Sequence, residues 1–150
     1  MTRREMREHC FKMLFGVDFY PAAETAGQVE QYFNSPEEED TTPEGVSEIL
    51  HQVEMPESDR DFLIARVEDM AAKNGELDEK INKVAEGWKT RRMGKVELTI
   101  LRQALYEMEY DEDVPQKVAI NEAVDLAKKY GGKDSPAFIN GVLAKLVTEE

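Results

Sequence analysis

Two histidines and one cysteine are the chain's whole supply of imidazole and thiol. A catalytic zinc ion takes three protein ligands from His, Cys or carboxylate. His9 and Cys10 are adjacent, so on a helix they point about 100° apart, and His51 lies far along the sequence. No metal site is expected. The same scarcity weighs against Ser-His-Asp and Cys-His catalysis, which need a histidine as base. Gly131-Gly132-Lys133-Asp134-Ser135 has the outline of a phosphate loop. However, Ala127 stands where the earlier glycine belongs, and Asp134 follows the lysine where a hydroxyl residue is required. No Gly-x-Gly-x-x-Gly occurs, so a dinucleotide site has no support. The reading is of a non-enzyme with no catalytic residues and no cofactor.

Binding chemistry is better represented. On a helix Arg3, Arg4 and Arg7 fan over roughly 100°, with Lys12 further round. Guanidinium groups suit phosphate oxygens and stack on bases. Phe11 and Phe15 project near this face as candidate platforms for unstacked bases. The plainer alternative is a solvated charged face with both phenylalanines in the core. A second polar feature is the turn Gly132-Lys133-Asp134-Ser135 entering the last helix. Free N–H groups at a helix start can hold a phosphate beside Lys133. Alternatively, Asp134 and Ser135 simply cap those groups.

These residues sit in a chain of 150 residues, 41% hydrophobic and 34% charged, which suits one globular domain with room for two compact lobes. A single cysteine, Cys10, excludes an internal disulfide framework, so a reducing, cytoplasmic location is expected. No apolar run approaches the roughly 20 residues needed to span a bilayer, and no membrane association is expected. The net charge of −13 opposes polyphosphate partners at long range. Its distribution matters more. Residues 24–61 carry one basic and twelve acidic groups, whereas residues 1–23 carry four basic and three acidic ones. Surface charge is screened beyond about 8 Å at physiological salt, so a local basic patch still binds phosphate.

The patterning is helical throughout. Thr2 and Glu5 form a capping box for a helix to about Phe19, with Met6, Cys10, Met13, Leu14 and Val17 as its apolar stripe. A short helix over Ala23 to Phe33 precedes an acidic stretch, Ser35 to Asp40, read as a solvated linker. Thr42-Pro43-Glu44 marks a new helix start. Another begins near Ser58, with Phe62, Leu63, Val67 and Met70 on one face, and stops at Asn74-Gly75. Ile81, Val84 and Trp88 repeat at helical spacing, and Leu98, Leu101, Leu105 and Met108 mark a long helix after Arg91-Arg92-Met93-Gly94-Lys95. Val118, Ala119, Ala123, Val124 and Leu126 follow Pro115, and Tyr130-Gly131-Gly132 closes that helix, since glycine accepts a left-handed conformation. Ser135-Pro136 opens the last, apolar at Phe138, Ile139, Val142, Leu143, Leu146 and Val147. The expected fold is all-α, about seven helices in two small packed bundles, about 1–75 and about 76–150.

From Asp113 through Gly131, then Asp134-Ser135 and Phe138-Ile139-Asn140-Gly141-Val142-Leu143, the chain resembles the bacterial transcription antitermination factor NusB family. Val96-Glu97, Ile100-Leu101-Arg102, Ala104-Leu105-Tyr106-Glu107 and the early Arg4, Arg7 and Glu8 extend the likeness, while residues 20–90 align loosely. The resemblance implies an all-helical, non-enzymatic protein. It would bind single-stranded boxA-type RNA together with the ribosomal protein NusE, within an antitermination complex on RNA polymerase that supports ribosomal RNA transcription. It further implies RNA contacts at Arg3, Arg4, Arg7, Asp134, Ser135 and Phe138, beside the Lys133 read above. It places the protein-partner surface at Glu97 and Phe15, where many relatives carry tyrosine. Two other roles stay open: a protein-interaction adaptor with little RNA affinity of its own, and an accessory domain in RNA modification. A homodimer through an exposed apolar patch is a further option.

Overall fold

A computed structural model of the chain describes residues 1–34, 36–41, 47–52, 55–85, 89–90 and 93–147. They form seven helices: α1 (Arg3–Val17), α2 (Thr25–Asn34), α3 (Glu57–Ala72), α4 (Asn74–Val84), α5 (Lys95–Tyr110), α6 (Gln116–Tyr130) and α7 (Ser135–Leu146). A short 3-10 turn at Ala22–Glu24 leads into α2. The all-helical expectation holds with one departure, a two-stranded antiparallel hairpin of β1 (Pro36–Thr41) and β2 (Ser47–Gln52).

That hairpin corrects two sequence expectations. Residues 36–40 of the stretch read as a linker lie in β1, and residues 47–52, downstream of the expected helix start, are β2; that start at Thr42-Pro43-Glu44 lies outside the described residues. Glu37, Glu38, Glu39 and Asp40 are four consecutive acidic residues with no apolar position among them, so neither a helical nor an alternating apolar pattern marks the element. The register pairs Glu38 with His51 and Asp40 with Glu48.

Two compact units divide the chain within α3, residues 1–68 and 69–150. In the first, α1 starts with the expected capping box: Glu5 N–H donates to Thr2 Oγ1 at 3.1 Å, and Thr2 N–H donates to Glu5 Oε1 at 3.2 Å. These bonds favour the charged carboxylate, so Glu5 titrates below its ordinary value, chiefly through the Thr2 N–H. Cys10, Phe11, Met13, Leu14 and Val17 of α1 are buried, as are Val29 and Phe33 of α2 and Leu63 and Val67 of α3. His9 Nδ1 and Tyr32 Oη are hydrogen-bonded at 2.6 Å, joining α1 to α2. Phe62, expected on the apolar face of α3, is instead 47% exposed, and the Arg66 guanidinium lies over its ring at 4.7 Å.

The second unit is built around α5. Residues 98–101 and 103–108 are all buried, so this helix has neighbours on most of its circumference. It packs against α4, α6 and α7, and α6 packs against α7. Ala119, Ala123 and Ala127 put small side chains on one side of α6, which permits close approach, while Val118 is exposed rather than part of the core. The expected stop at Asn74-Gly75 falls one residue earlier: α4 begins at Asn74 with Gly75 in its first turn. Trp88, Arg91 and Arg92 lie outside the described residues.

Polar pairs fix α4 on α5. Arg102 Nε and Nη2 donate to the two oxygens of Asp78, both at 2.7 Å. Tyr110 Oη donates to both oxygens of Glu76, which raises its pKa by favouring the neutral phenol, and Glu109 raises that of Lys80 by holding its ammonium. Tyr106 Oη donates to Asp69, whose other oxygen accepts from Lys73.

Candidate nucleic-acid interface

The two binding features read from the sequence fall in different units. Arg3 and Arg4 are exposed on the first turn of α1 and Arg7 is half-buried on its second. Because the capping box satisfies the first N–H groups and Glu5 complements the positive helix end, this turn is well formed. The backbone therefore presents the three guanidiniums on a regular helix. Each takes part in an interaction within the chain.

Phe11 is no base platform. It is 3% exposed, because position 11 follows the buried Cys10 and precedes the buried Met13 and Leu14. Phe15 is half-buried, its ring 6.3 Å from that of Phe11 and edge-on to that of Phe19 at 5.2 Å. Phe19 and Tyr20, both exposed, were not singled out in the sequence; their position just beyond the end of α1 was the available signal.

In the second unit the starts of α5 and α7 are side by side. A cavity of about 400 Å³ is lined by Met93, Gly94, Glu97, Asp134, Ser135 and Phe138. Asp134 and Lys133 are exposed and Phe138 is half-buried. The capping expectation fails here. Asp134 makes no side-chain cap, and the Ser135 hydroxyl accepts from Gly132 N–H at 2.9 Å rather than from an N–H inside α7. The same hydroxyl donates to Glu97 Oε2 at 2.6 Å. Thus Glu97 and Ser135, implied by the resemblance to serve different partners, are bonded to each other.

Gly131 also differs from expectation. Its φ of −93° is one any residue adopts, so no left-handed conformation is involved. The requirement is space: a Cβ there would lie 2.6 Å from Ser135 Cβ and 2.8 Å from the Ala127 carbonyl oxygen. At Gly94 the near atom is the end of the Glu97 side chain, Oε1, which can shift, so glycine is less strictly required there. Sequence reasoning missed Met93 and Gly94 as lining residues. The usable signal was Glu97 at the third position of a helix whose flanking residue is glycine.

Over residues 4–148 the sequence matches the profile of the NusB family. The chain belongs to that family. Two relatives, each named transcription antitermination protein NusB, come from Lachnoclostridium phytofermentans and Agathobacter rectalis. The first is 45% identical over 147 residues, covering 98% of this chain and 99% of the relative. The second is 43% identical over 145 residues, covering 97% and 98%. A solved structure of T. maritima NusB superimposes with a TM-score of 0.77 at 25% identity, covering 97% of this chain and 90% of that one. This NusB-family chain contains, among its described residues, no group of three His, Cys, Asp or Glu side chains placed to hold a metal and no helix long and apolar enough to cross a membrane.

Proposed function

We propose that this protein is a non-enzymatic transcription antitermination factor that acts in the cytoplasm by binding single-stranded boxA-type RNA together with NusE. Near-full-length similarity to proteins named for antitermination supports the general role. The observation that carries the RNA reading is the arginine face at the start of α1, displayed by a well-capped helix in a chain that is otherwise strongly acidic. Arginines there grip phosphates and supply affinity and salt dependence. Lys133, Asp134 and Phe138 at the α7 entrance supply a second set of contacts, with the half-buried Phe138 as the aromatic ring of that set. Glu97 and Phe15 are the assigned protein-partner positions, and base choice comes from base-edge contacts together with the partner's surface.

A titration with a boxA-like RNA, with and without NusE and at two salt concentrations, tests this reading. Binding by the isolated chain that weakens steeply with salt and tightens with NusE is expected. RNA binding only when NusE is present would favour the second reading, an adaptor, which the acidic residues 24–61 support. No binding under either condition would reject both.

A further inference from the structure

We propose that Ser135 is a positioning residue rather than an RNA contact, and that its bond to Glu97 couples the protein-partner position on α5 to the RNA-facing entrance of α7. The inference rests on the functional reading above and deepens it. A serine hydroxyl has one proton to donate. Here that proton goes to Glu97, while the oxygen accepts from Gly132 N–H. Ser135 is also only 9% exposed, and a phosphate oxygen, which can only accept, would bond its hydroxyl only by displacing Glu97.

On the Ser135 side the surroundings leave the bond little freedom. Gly131 approaches Ser135 so closely that a Cβ would be in hard overlap with it, while on the other side Gly94 leaves room for the end of the Glu97 side chain. A movement of Glu97 is therefore transmitted to Ser135 and the turn 131–134, which carries Asp134 and leads to Phe138 one helical turn later. Asp134 and Phe138 line the same cavity as Glu97. A protein partner that engages the Glu97 carboxylate draws on the acceptor that orients Ser135, so the two binding events share one free energy and each alters the other.

Two measurements on the full chain test this. In the first, boxA-like RNA is titrated into Ser135→Ala, Glu97→Ala, Glu97→Gln and the double variant Ser135→Ala/Glu97→Ala. Each alanine variant is expected to weaken binding about three- to tenfold, with the double variant no more than about twofold beyond the weaker single. Glu97→Gln, whose amide oxygen still accepts the hydroxyl proton, is expected within about twofold of the parent. In the second, hydrogen exchange of the Gly132 amide is followed without RNA. It is expected to speed up in Ser135→Ala and Glu97→Ala and to stay protected in Glu97→Gln. Losses that multiply in the double variant, or a Gly132 amide indifferent to Glu97→Ala, overturn the coupling. The exchange readout on the two Glu97 variants remains decisive if Ser135→Ala does not fold. The double variant Arg4→Ala/Arg7→Ala separates the two claims: if the parent binds RNA and this variant does not, the functional reading stands even where the coupling fails.

Discussion

Thr2, Gly131 and Asp134 each carry a prediction that depends on a few atoms. Thr2 Oγ1 is the cap acceptor for α1, so Thr2→Ala should cost about 1 kcal/mol, read as a lower urea midpoint or faster exchange in the first turn. The partner carboxyl of Glu5 is depressed in the folded state, so its contribution is present above the ordinary carboxylate pKa and fades as pH falls through the lowered folded value. First-turn amide protection should thus decline on acidification, and Glu5→Gln should remove that pH dependence. At Gly131 the added methyl of alanine meets Ser135 and the Ala127 carbonyl, so Gly131→Ala should destabilise by about 1–3 kcal/mol in chemical denaturation. Asp134 is exposed and makes no cap, so it is a dispensable negative charge at the proposed RNA edge. Asp134→Asn should tighten RNA binding without a stability loss, and weaker binding would place the RNA elsewhere.

At the scale of elements, α1 presents charge and α5 organises packing. Removing Arg4 and Arg7 together should reduce the slope of log affinity against log salt by about 1.4, roughly 0.7 for each phosphate contact on a single strand, and weaken binding most at low salt. An unchanged slope in the folded double variant would dismiss α1 as the phosphate-binding face. The Arg102–Asp78 pair between α5 and α4 is bidentate and mostly shielded, with side chains 12% and 23% exposed. Its loss in Arg102→Ala strands a partly buried carboxylate, and a thermal or urea melt should show about 2 kcal/mol of destabilisation, between exposed and buried pairs. The stops and starts of α5, α6 and α7 were legible because Gly, Pro and apolar spacing coincide there. The hairpin was not, since the run at residues 37–40 carries no alternating apolar pattern by which a strand is recognised.

For the whole molecule, the net charge of −13 opposes RNA while a local arginine face attracts it. On the proposed function, the acidic tract should tune encounter rather than contact. Replacing Glu37, Glu38 and Glu39 together by Gln should raise the RNA association rate at low salt, and the advantage should vanish near 0.5 M salt, where the Debye length is roughly 4 Å. A difference that persists at high salt would mean that the tract acts by direct contact.

The sequence by itself determined the helical class, most helix boundaries, the capping box at Thr2 and the family, because each depends on neighbours three or four residues apart or on a contiguous string of side chains. It also marked Arg3, Arg4, Arg7, Asp134, Ser135 and Glu97 as polar groups of interest. Tertiary structure alone decided that Phe11 is core, that Gly131 is needed for room rather than for its torsion, and that Ser135 is bonded to Glu97, 38 residues away. Those outcomes depend on which helices approach one another and how closely, and helical periodicity carries no record of that distance.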